Sequence, residues 1–333
     1  MFMRKLGSSG IEISAVGFGA WVTGGWMWGG ADDRQSIAAI HAALDLGINL
    51  VDTAPMYGYG HSEEVVGQAI RDRRDKVVLA TKCGLIWDRE EGTLHFYADD
   101  VGATLRPVDK KIYKNLRPAS IRAEVERSLR NLQTDRIDLL QTHWQDPSTP
   151  LADTVAELQR LKQEGKIRAI GVSNCSLDQL KDYGPIDSAQ EKYSMLDRDL
   201  EENGILQWCR EHSVSMLAYS PLANGLLTGK LQPDRQYNPG DLRKANPRFR
   251  PQNVKRINDL LRQLEAIAQR YNATIGQLVI AWTAAQPGIT SVLCGARDVQ
   301  QATENVGAGK IELSAEDITT MGQLIRGQGS ANQ

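Results

Sequence analysis

Short apolar segments rich in Val, Ile and Leu alternate along the 333-residue chain with longer segments of helical periodicity. The apolar segments predict eight strands, at residues 15–18, 49–52, 77–81, 137–141, 169–172, 188–192, 215–218 and 289–293. The longer segments predict amphipathic helices, among them 36–46, 62–70, 120–132 and 151–163. Apolar strands that alternate with helices are typical of a parallel sheet covered by helices.

Eight strand–helix units predict a closed barrel rather than an open sheet. The turn after the first predicted strand contains Gly17 and Gly19 but lacks the G-x-G-x-x-G spacing of an open dinucleotide-binding sheet. The predicted fold class is therefore α/β, a (β/α)8 TIM barrel. We expect residues 1–333 to form one barrel domain, with a disordered tail over about 327–333.

Three segments depart from this alternation. Residues 6–10 form a turn between two short strands, which predicts an N-terminal β-hairpin that plugs the bottom of the barrel. Residues 83–118 and 223–252 predict long irregular loops. Both loops follow the C-terminal end of a strand, where βα barrels build their active sites, so we expect long loops on that face.

Composition and charge narrow the class of protein. With 39 basic and 41 acidic residues the net charge is −2, so neither nucleic acid nor an anionic membrane surface is predicted as a partner. The N-terminus lacks a signal-peptide apolar region, and no apolar run approaches the ~20 residues that span a bilayer, so a cytoplasmic location is expected. Four widely separated cysteines without a C-x-x-C pair predict free thiols. The oligomeric state stays open.

Polar side chains follow three of the predicted strands at the point where each ends. Asp52 ends the second strand, with Tyr57 five residues beyond, while Lys82 follows the third strand and His143 the fourth. Because the C-terminal ends of barrel strands meet at one mouth, we expect these four side chains to converge. Each alone has an ordinary structural explanation, such as a helix cap for Asp52 or packing for Tyr57. Together they favour chemistry.

The four residues match the needs of carbonyl reduction by hydride. The carbonyl oxygen becomes an alkoxide that must receive a proton, and a phenol with a pKa near ~10 holds one at neutral pH. A nearby ammonium stabilises the phenolate and eases transfer in both directions. This predicts Tyr57 as the general acid and base, with Lys82 held by Asp52. His143 would orient the carbonyl, and no metal is required.

Sequence motifs around these residues resemble those of the aldo-keto reductase superfamily. They are DTAPMYG at 52–58 with SEE at 62–64, TK at 81–82, IDLLQTHW at 137–144, GKIRAIGVSN at 165–174, and GAR at 295–297 with Gln301, Glu304 and Asn305. The resemblance covers residues 3 to about 325 in the family's order. Within the superfamily the chain is most similar to the bacterial stress-protein and inositol-operon type, through WMWGG at 26–30 and GLLTGK at 225–230.

The resemblance implies a nicotinamide-dependent carbonyl reductase whose catalytic tetrad is Asp52, Tyr57, Lys82 and His143. It implies that Ser173, Asn174 and Gln190 bind the nicotinamide carboxamide, and that Tyr219 stacks on the nicotinamide ring. The other residues that it implies at the cofactor are Gly19, Ala20, Trp21, Asp52, Ser220, Pro221, Leu222, Gly225, Leu227, Gly229, Lys230, Gly295, Arg297, Gln301, Glu304 and Asn305.

The cofactor implied by the resemblance is NADP(H). The segment 220–230 matches the loop over the pyrophosphate, and Arg297 and Gln301 match positions near the adenosine 2′-phosphate. An arginine is a natural partner for phosphate. Asp298 stands directly beside Arg297 and would repel a phosphate if it pointed inward, so NAD(H) stays open as the cofactor.

Aromatic residues cluster near the predicted mouth of the barrel. The residues predicted to contact substrate are Trp21, Trp28, Tyr57, Trp87, His143 and Trp144. Trp and Tyr form pockets for sugars and for aldehydes. Polar neighbours such as Gln145, Asp146 and Asn224 favour a polyol, sugar or keto-sugar carbonyl as the substrate.

Two other classes of protein have to be compared with this prediction. A metal-dependent hydrolase on the same barrel needs several His and Asp ligands at strand ends. Only His143 is predicted there, since the other four histidines, including His95, fall on predicted helices or loops. Some relatives of this superfamily are cofactor-binding accessory subunits of ion channels that keep the tetrad, so this alternative stays open.

Overall fold

The computed structural model describes residues 1–98 and 110–326, and the predicted tail lies outside them. The chain begins with an antiparallel hairpin of strands β1 (Met3–Lys5) and β2 (Glu12–Ser14). Two short antiparallel strands joined by a glycine-containing turn were predicted here. The hairpin lies at the N-terminal end of the barrel that the following strands form.

Eight parallel strands close into a barrel in which each strand neighbours the next one along the chain. They are β3 (Val16–Gly19), β4 (Leu50–Asp52), β5 (Val78–Cys83), β9 (Ile137–Thr142), β10 (Ile167–Ser173), β11 (Ser188–Lys192), β12 (Ser215–Tyr219) and β13 (Ile289–Cys294). Every strand that the apolar segments predicted is present, within a few residues. The predicted TIM barrel is therefore confirmed.

Helices surround the barrel and bury their apolar faces against its strands. They are α1 (Asp33–Asp45), α2 (His61–Ile70), α3 (Pro118–Leu132), α4 (Leu151–Gln163), α5 (Leu177–Tyr183), α6 (Ile205–Glu211), α7 (Pro251–Arg262), α8 (Glu265–Arg270), α9 (Ile275–Ala284), α10 (Val299–Ala308) and α11 (Ala315–Arg326). Helix α3 is typical, because Pro118 begins it and Ile121, Val125 and Leu132 are buried along one side. Among the residues that the structure describes, none of the helices combines the length with the apolar character that a membrane span requires.

The hairpin fills the bottom of the barrel. Leu6, Ile11 and Ile13 pack against side chains that point into the barrel, among them Leu50 and Leu139. All five are at most 4% exposed. Each Å² of apolar surface removed from water contributes about 25 cal/mol, so this closure stabilises the fold. The predicted plug is confirmed, and it leaves the C-terminal mouth as the open end.

The sequence pattern predicted an irregular loop over residues 83–118, and in the part that the structure describes this prediction is wrong. Its described part forms a three-stranded antiparallel sheet of β6 (Leu85–Ile86), β7 (Thr93–Ala98) and β8 (Lys110–Lys114), with β8 in the centre. We call it the excursion sheet. Alternating Leu94, Phe96 and Ala98 in β7 could have indicated a strand. The lysines of β8 hid the pattern, although Ile112 on that strand is fully buried.

The second long segment, 223–252, is largely non-repetitive, as predicted. It contains short 3-10 turns at Ala223–Thr228, Leu242–Lys244 and Pro247–Phe249. An isolated antiparallel bridge joins Asp241 to Trp28, and Leu242 donates its backbone N–H to the Met27 carbonyl at 3.0 Å. These contacts tie the loop after β12 to the loop after β3 across the mouth of the barrel.

Candidate active site

Three of the predicted catalytic residues form a cluster at the C-terminal end of the barrel, in which Asp52 and Lys82 are buried and Tyr57 is half-buried. Asp52 is the last residue of β4, and Lys82 lies near the end of β5. The Lys82 ammonium donates to Asp52 Oδ1 at 2.6 Å and to the Thr53 carbonyl at 3.0 Å. It also donates to the Tyr57 hydroxyl at 3.3 Å. The three acceptors match the three N–H groups of the ammonium and compensate for its burial.

His143 lies on the other side of Tyr57. It directly follows β9, and its backbone N–H donates to the Cys83 carbonyl at 2.8 Å. Its ring stands edge-on to the Tyr57 ring, with the ring centroids 5.9 Å apart. The structure therefore brings the four predicted catalytic residues together at one mouth of the barrel.

Burial and charge set the protonation states of this cluster. Burial raises the pKa of Tyr57, and the Lys82 ammonium opposes that shift. Burial would lower the pKa of Lys82, but Asp52 and Tyr57 outweigh it, so that pKa is raised. Burial, Lys82 and His95 hold the pKa of His143 well below its usual range. At neutral pH the site thus contains a protonated phenol, an ammonium and a neutral imidazole.

The second carboxylate oxygen of Asp52 is held by two amides inside the barrel. Gln141 Nε2 donates to it at 3.0 Å and Gln190 Nε2 at 2.8 Å. Gln190 Nε2 also donates to Gln141 Oε1 at 3.1 Å. These bonds occupy the side-chain nitrogen of Gln190. Its side-chain oxygen, Oε1, is therefore left for a donor in the cleft. Gln141 was not predicted, because one sequence does not show which strand residue faces Asp52.

A second wall of the site is built at the end of β10. Ser173 Oγ donates to the Gln190 carbonyl at 2.8 Å, and the next residue, Asn174, has a left-handed φ of 56°. Asn174 Nδ2 donates to the His143 carbonyl at 2.9 Å. The Tyr219 hydroxyl donates to Asn174 Oδ1 at 2.9 Å. These bonds fix the Tyr219 ring as a flat wall beside the predicted catalytic residues.

A buried carboxylate supports this wall from behind. Glu191 Oε1 accepts the backbone N–H of Cys175 at 2.8 Å, in the turn that follows Asn174. Burial raises the pKa of Glu191 to about 7, and the backbone N–H groups of Cys175 and Asn174 oppose the shift. The sequence motifs gave no role to Glu191, since a charged residue on a strand more often faces solvent.

A cleft of about 630 Å³ opens above this cluster on the C-terminal face. The predicted site residues that line it are Gly19, Trp21, Trp28, Asp52, Tyr57, His143, Trp144, Ser173, Asn174, Gln190, Tyr219, Ser220, Pro221, Leu222, Gly225, Lys230, Gly295, Arg297, Gln301, Glu304 and Asn305. Lys82 lies beneath its surface and reaches it through Tyr57. Most of the predicted residues thus share one cleft.

A few predicted site residues lie elsewhere. Trp87, predicted at the substrate, instead packs against Arg127 of α3, whose guanidinium carbon lies 4.6 Å from a Trp87 ring centroid. The residues predicted at the cofactor that do not line the cleft are Ala20, Leu227 and Gly229. Ala20 and Leu227 are buried in the core instead. Neighbours along the chain point in different directions, so these side chains turn away from the cleft that the residues beside them line.

The excursion sheet contributes cleft residues that were not predicted. His95 and Phe96 of β7 line the cleft together with Trp26 and Met56. The His95 ring lies 4.8 Å from the Trp144 ring, centroid to centroid. His95 was predicted on a helix or loop away from the strand ends, so this placement corrects the prediction. The run of aromatic and apolar residues in β7 was the available signal.

Comparison with known proteins decides the family. Residues 15–326 match the aldo/keto reductase family. The chain belongs to the aldo/keto reductase family. It is therefore an oxidoreductase of the kind that uses a nicotinamide cofactor, and the predicted membership of the superfamily is confirmed.

Similar proteins match over nearly the whole chain. An NADH-specific methylglyoxal reductase of Escherichia coli (strain K12) is 44% identical, over 97% of this chain and 98% of its own. The structure of a glycerol dehydrogenase from Gluconobacter oxydans is 37% identical with a TM-score of 0.82, covering 97% of this chain and 94% of its own. An aldo/keto reductase from Klebsiella pneumoniae, solved with NADP and acetate, is 29% identical with a TM-score of 0.69, covering 97% and 95%.

The far end of the cleft in this aldo/keto reductase is cationic. The guanidinium carbons of Arg243 and Arg297 lie 5.3 and 5.7 Å from the Trp28 ring centroid. Arg297 also donates to the Trp28 carbonyl at 2.9 Å, and Arg243 is paired with the buried Asp241 at 2.6 Å. Arg235 lines the same end. Two of these arginines therefore retain charge that no carboxylate in a described ion pair neutralises.

The acids near this end are already engaged. Asp298 Oδ1 accepts the backbone N–H of Gln301 at 2.8 Å and so caps helix α10. One oxygen of its carboxylate is thus committed to the helix, while its negative charge still acts on the neighbouring Arg297. Lys230 forms an ion pair with Glu304 at 2.6 Å, at the exposed rim of the cleft.

The side chains that line the cleft of this aldo/keto reductase suit a nicotinamide dinucleotide. The side-chain oxygen of Gln190 can accept from the carboxamide of a nicotinamide, and Tyr219 offers a flat ring face beside it. Arginines at the other end suit phosphate oxygens, which guanidinium binds well. Within the described residues, no group of three or more His, Cys, Asp or Glu side chains is arranged to hold a metal ion.

Proposed function

We propose that this chain reduces a small aldehyde or ketone to an alcohol, reversibly, with Tyr57 as the proton donor and acceptor. One observation carries the proposal. The buried Lys82 ammonium has one N–H on the Tyr57 hydroxyl, while Asp52 and the Thr53 carbonyl hold the other two. Such an ammonium stabilises a phenolate, which a structural lysine would not need to do.

Each residue then has one task. Reduced nicotinamide, when bound, supplies the hydride that the carbonyl carbon receives, and is itself oxidised. Tyr57 gives its proton to the carbonyl oxygen, and Lys82 stabilises the phenolate that remains. Neutral His143 can donate one hydrogen bond to the same oxygen and orient it. In the reverse direction the Tyr57 phenolate takes the proton of the alcohol.

The substrate class that we propose is a short carbonyl compound with oxygen on the neighbouring carbon, such as a 2-oxoaldehyde, a hydroxy-ketone or a small sugar. Two relatives are named for three-carbon compounds that bear oxygen on neighbouring carbons, the dicarbonyl methylglyoxal and the triol glycerol. The cleft wall combines aromatic side chains with the polar His95, which suits a compact polar substrate.

For the cofactor we propose NADP(H) with NAD(H) also accepted. The charge of Arg297 and Arg235 favours a 2′-phosphate at the cationic end of the cleft. A relative that is NADH-specific by name supports use of NAD(H), whereas the Klebsiella structure contains NADP. Arg297 already bonds the Trp28 carbonyl, so a phosphate would share it.

The test combines binding and turnover in the wild type and in Tyr57→Phe. Titration of tryptophan fluorescence with NADPH and NADH measures cofactor affinity, and a carbonyl panel measures turnover. We expect Tyr57→Phe to keep cofactor affinity within about twofold and to lose turnover by ~10²-fold or more, on the scale of general acid catalysis. Tyr59→Phe, the same change two residues on, is the matched control and should stay active.

Two outcomes would contradict the proposal. Near-normal turnover by Tyr57→Phe would overturn the role of its hydroxyl. Tight cofactor binding by a wild type that turns over no carbonyl would favour an accessory, cofactor-sensing role instead.

A further inference from the structure

The excursion sheet places a second imidazole in the cleft. His95 is the third residue of β7, and its ring lies 4.8 Å from the Trp144 ring and 5.1 Å from the Phe96 ring. The strand neighbours Leu94 and Tyr97 are exposed and point away. His95 and Phe96 therefore belong to the inner wall of the cleft, while Leu94 and Tyr97 on either side of them face solvent.

His95 is a polar group in an aromatic wall. The surrounding cleft residues of this region are apolar, among them Trp26, Phe96 and Trp144. The imidazole forms no hydrogen bond with any residue in the described part of the chain, although it is half-buried. Polar groups in pockets that lack protein partners are typically those that fix the orientation of a ligand.

The charge state of His95 suits a neutral oxygen on a ligand. Burial and the nearby Lys114 lower the pKa of His95, so its ring is neutral at neutral pH. A neutral imidazole has one N–H donor and one nitrogen acceptor. It can therefore donate to a carbonyl oxygen and accept from a hydroxyl, which covers both the oxidised and the reduced form of one substituent.

His95 is also close to the reacting end of the cleft. His143 directly precedes Trp144, against which His95 packs, and His95 is close enough to contribute to the lowered pKa of His143. A substrate whose reacting oxygen is held by Tyr57 and His143 therefore shares this part of the cleft with His95.

We propose that His95 is a specificity-determining residue that hydrogen-bonds the oxygen on the carbon next to the reacting carbonyl. The chain would then prefer 2-oxoaldehydes and 2-hydroxy carbonyls to unsubstituted aldehydes of the same length. The inference rests on the proposed function, and it assigns to the excursion sheet the part of substrate recognition that the barrel strands do not supply.

Methylglyoxal and propanal test this inference, because they have three carbons each and differ in the neighbouring oxygen. We expect His95→Phe to lower kcat/KM for methylglyoxal about tenfold, mainly through KM, and to change kcat/KM for propanal less than about twofold. This is the scale of losing one hydrogen bond. His95→Gln, which keeps a donor and an acceptor, should retain part of the preference. Tyr97→Phe, on the outer face of the same strand, is the control.

The outcomes separate the inference from the proposed function. An active His95→Phe with unchanged preference between the two substrates would overturn the role of His95 alone. Equal losses on both substrates in His95→Phe and His95→Gln, at unchanged melting temperature, would also overturn it. A wild type that reduces neither substrate would overturn the proposed function, and this inference with it.

Discussion

Gln141 illustrates how much of a site can rest on a residue that touches neither reactant. Its amide donates to Asp52 Oδ2 and accepts from Gln190 Nε2, so it fixes a carboxylate and an amide at once. Asp52 in turn holds Lys82, which holds the Tyr57 hydroxyl. The orientation of the proposed proton donor thus depends on a fully buried side chain of β9.

We expect Gln141→Leu to impair both stability and turnover. The change removes one hydrogen bond to the Asp52 carboxylate and leaves one N–H of Gln190 Nε2 without its acceptor, which should lower the free energy of unfolding by about 1.5–3 kcal/mol. Turnover should fall, by up to about tenfold, because Asp52, which holds Lys82, loses one of its two amide donors. Urea denaturation and steady-state rates measure the two effects. A variant with wild-type values of both would show that Gln141 only fills space.

At this scale the sequence predicted side chains by strand position and missed those defined by their partners. Asp52, Lys82 and His143 follow apolar strands, so their convergence could be expected from barrel geometry alone. Gln141 and Glu191 have no such mark. Their roles depend on which side of a strand faces Asp52 or the turn after Asn174, and that is settled only by three-dimensional packing.

Among the elements, the excursion sheet is joined to the loop after β9 by one carboxylate, that of Asp146, in addition to its aromatic packing. Asp146 accepts the Thr93 hydroxyl of β7 at 3.0 Å and the backbone N–H of Leu116 at 3.2 Å. It also accepts from Ser148 and Thr149 in its own loop. Burial would raise the pKa of Asp146, but these hydrogen bonds outweigh it and lower the pKa.

We expect Asp146→Ala to loosen the excursion sheet while the cofactor residues stay in place. The unpaired donors should lower the free energy of unfolding by about 2–3 kcal/mol. KM for the carbonyl substrate should rise, since His95 and Phe96 lose their support, whereas cofactor affinity should be unchanged. Asp182→Ala, an exposed acid on α5, is the control. A parallel loss of cofactor affinity would contradict this separation of the two halves of the cleft.

The elements themselves were predicted unevenly. The eight barrel strands are continuous apolar runs because both of their faces are buried, and such runs are visible in a sequence. The strands of the excursion sheet are short, and β8 contains three lysines in five residues. Their order also depends on antiparallel pairing between distant segments, which no local pattern reveals. The sheet was therefore mistaken for a loop.

Across the whole molecule, buried acids make stability depend on pH. Burial raises the pKa of Glu191 to about 7, and raises the pKa of Glu124 to about 8 against the opposing charge of Arg127. The folded state therefore keeps protons that the unfolded chain releases near pH ~4.5. The folded state binds more protons than the unfolded chain in this pH range. The free energy of unfolding therefore falls as the pH rises from about 4.5 to 8.

We expect Glu191→Gln to remove its share of this loss. Relative to the wild type, the variant should gain stability between pH 5 and pH 8, by up to about 3 kcal/mol for a shift of this size. Melting temperatures at the two pH values measure the gain. Glu202→Gln, at an exposed position, should run parallel to the wild type. If the stability of Glu191→Gln also runs parallel to that of the wild type, the Glu191 carboxyl of the wild type is ionised throughout this pH range and its pKa is not raised.

The four cysteines have a consequence for an enzyme of reactive carbonyls. All four are buried and free, and burial raises the pKa values of Cys83, Cys175, Cys209 and Cys294. Thiolates add readily to electrophilic dicarbonyls, but these thiols are protonated and shielded. Even Cys294, which borders the cleft, is only 2% exposed. Under the proposed function, the four thiols are thereby shielded from addition to a dicarbonyl substrate held in the cleft.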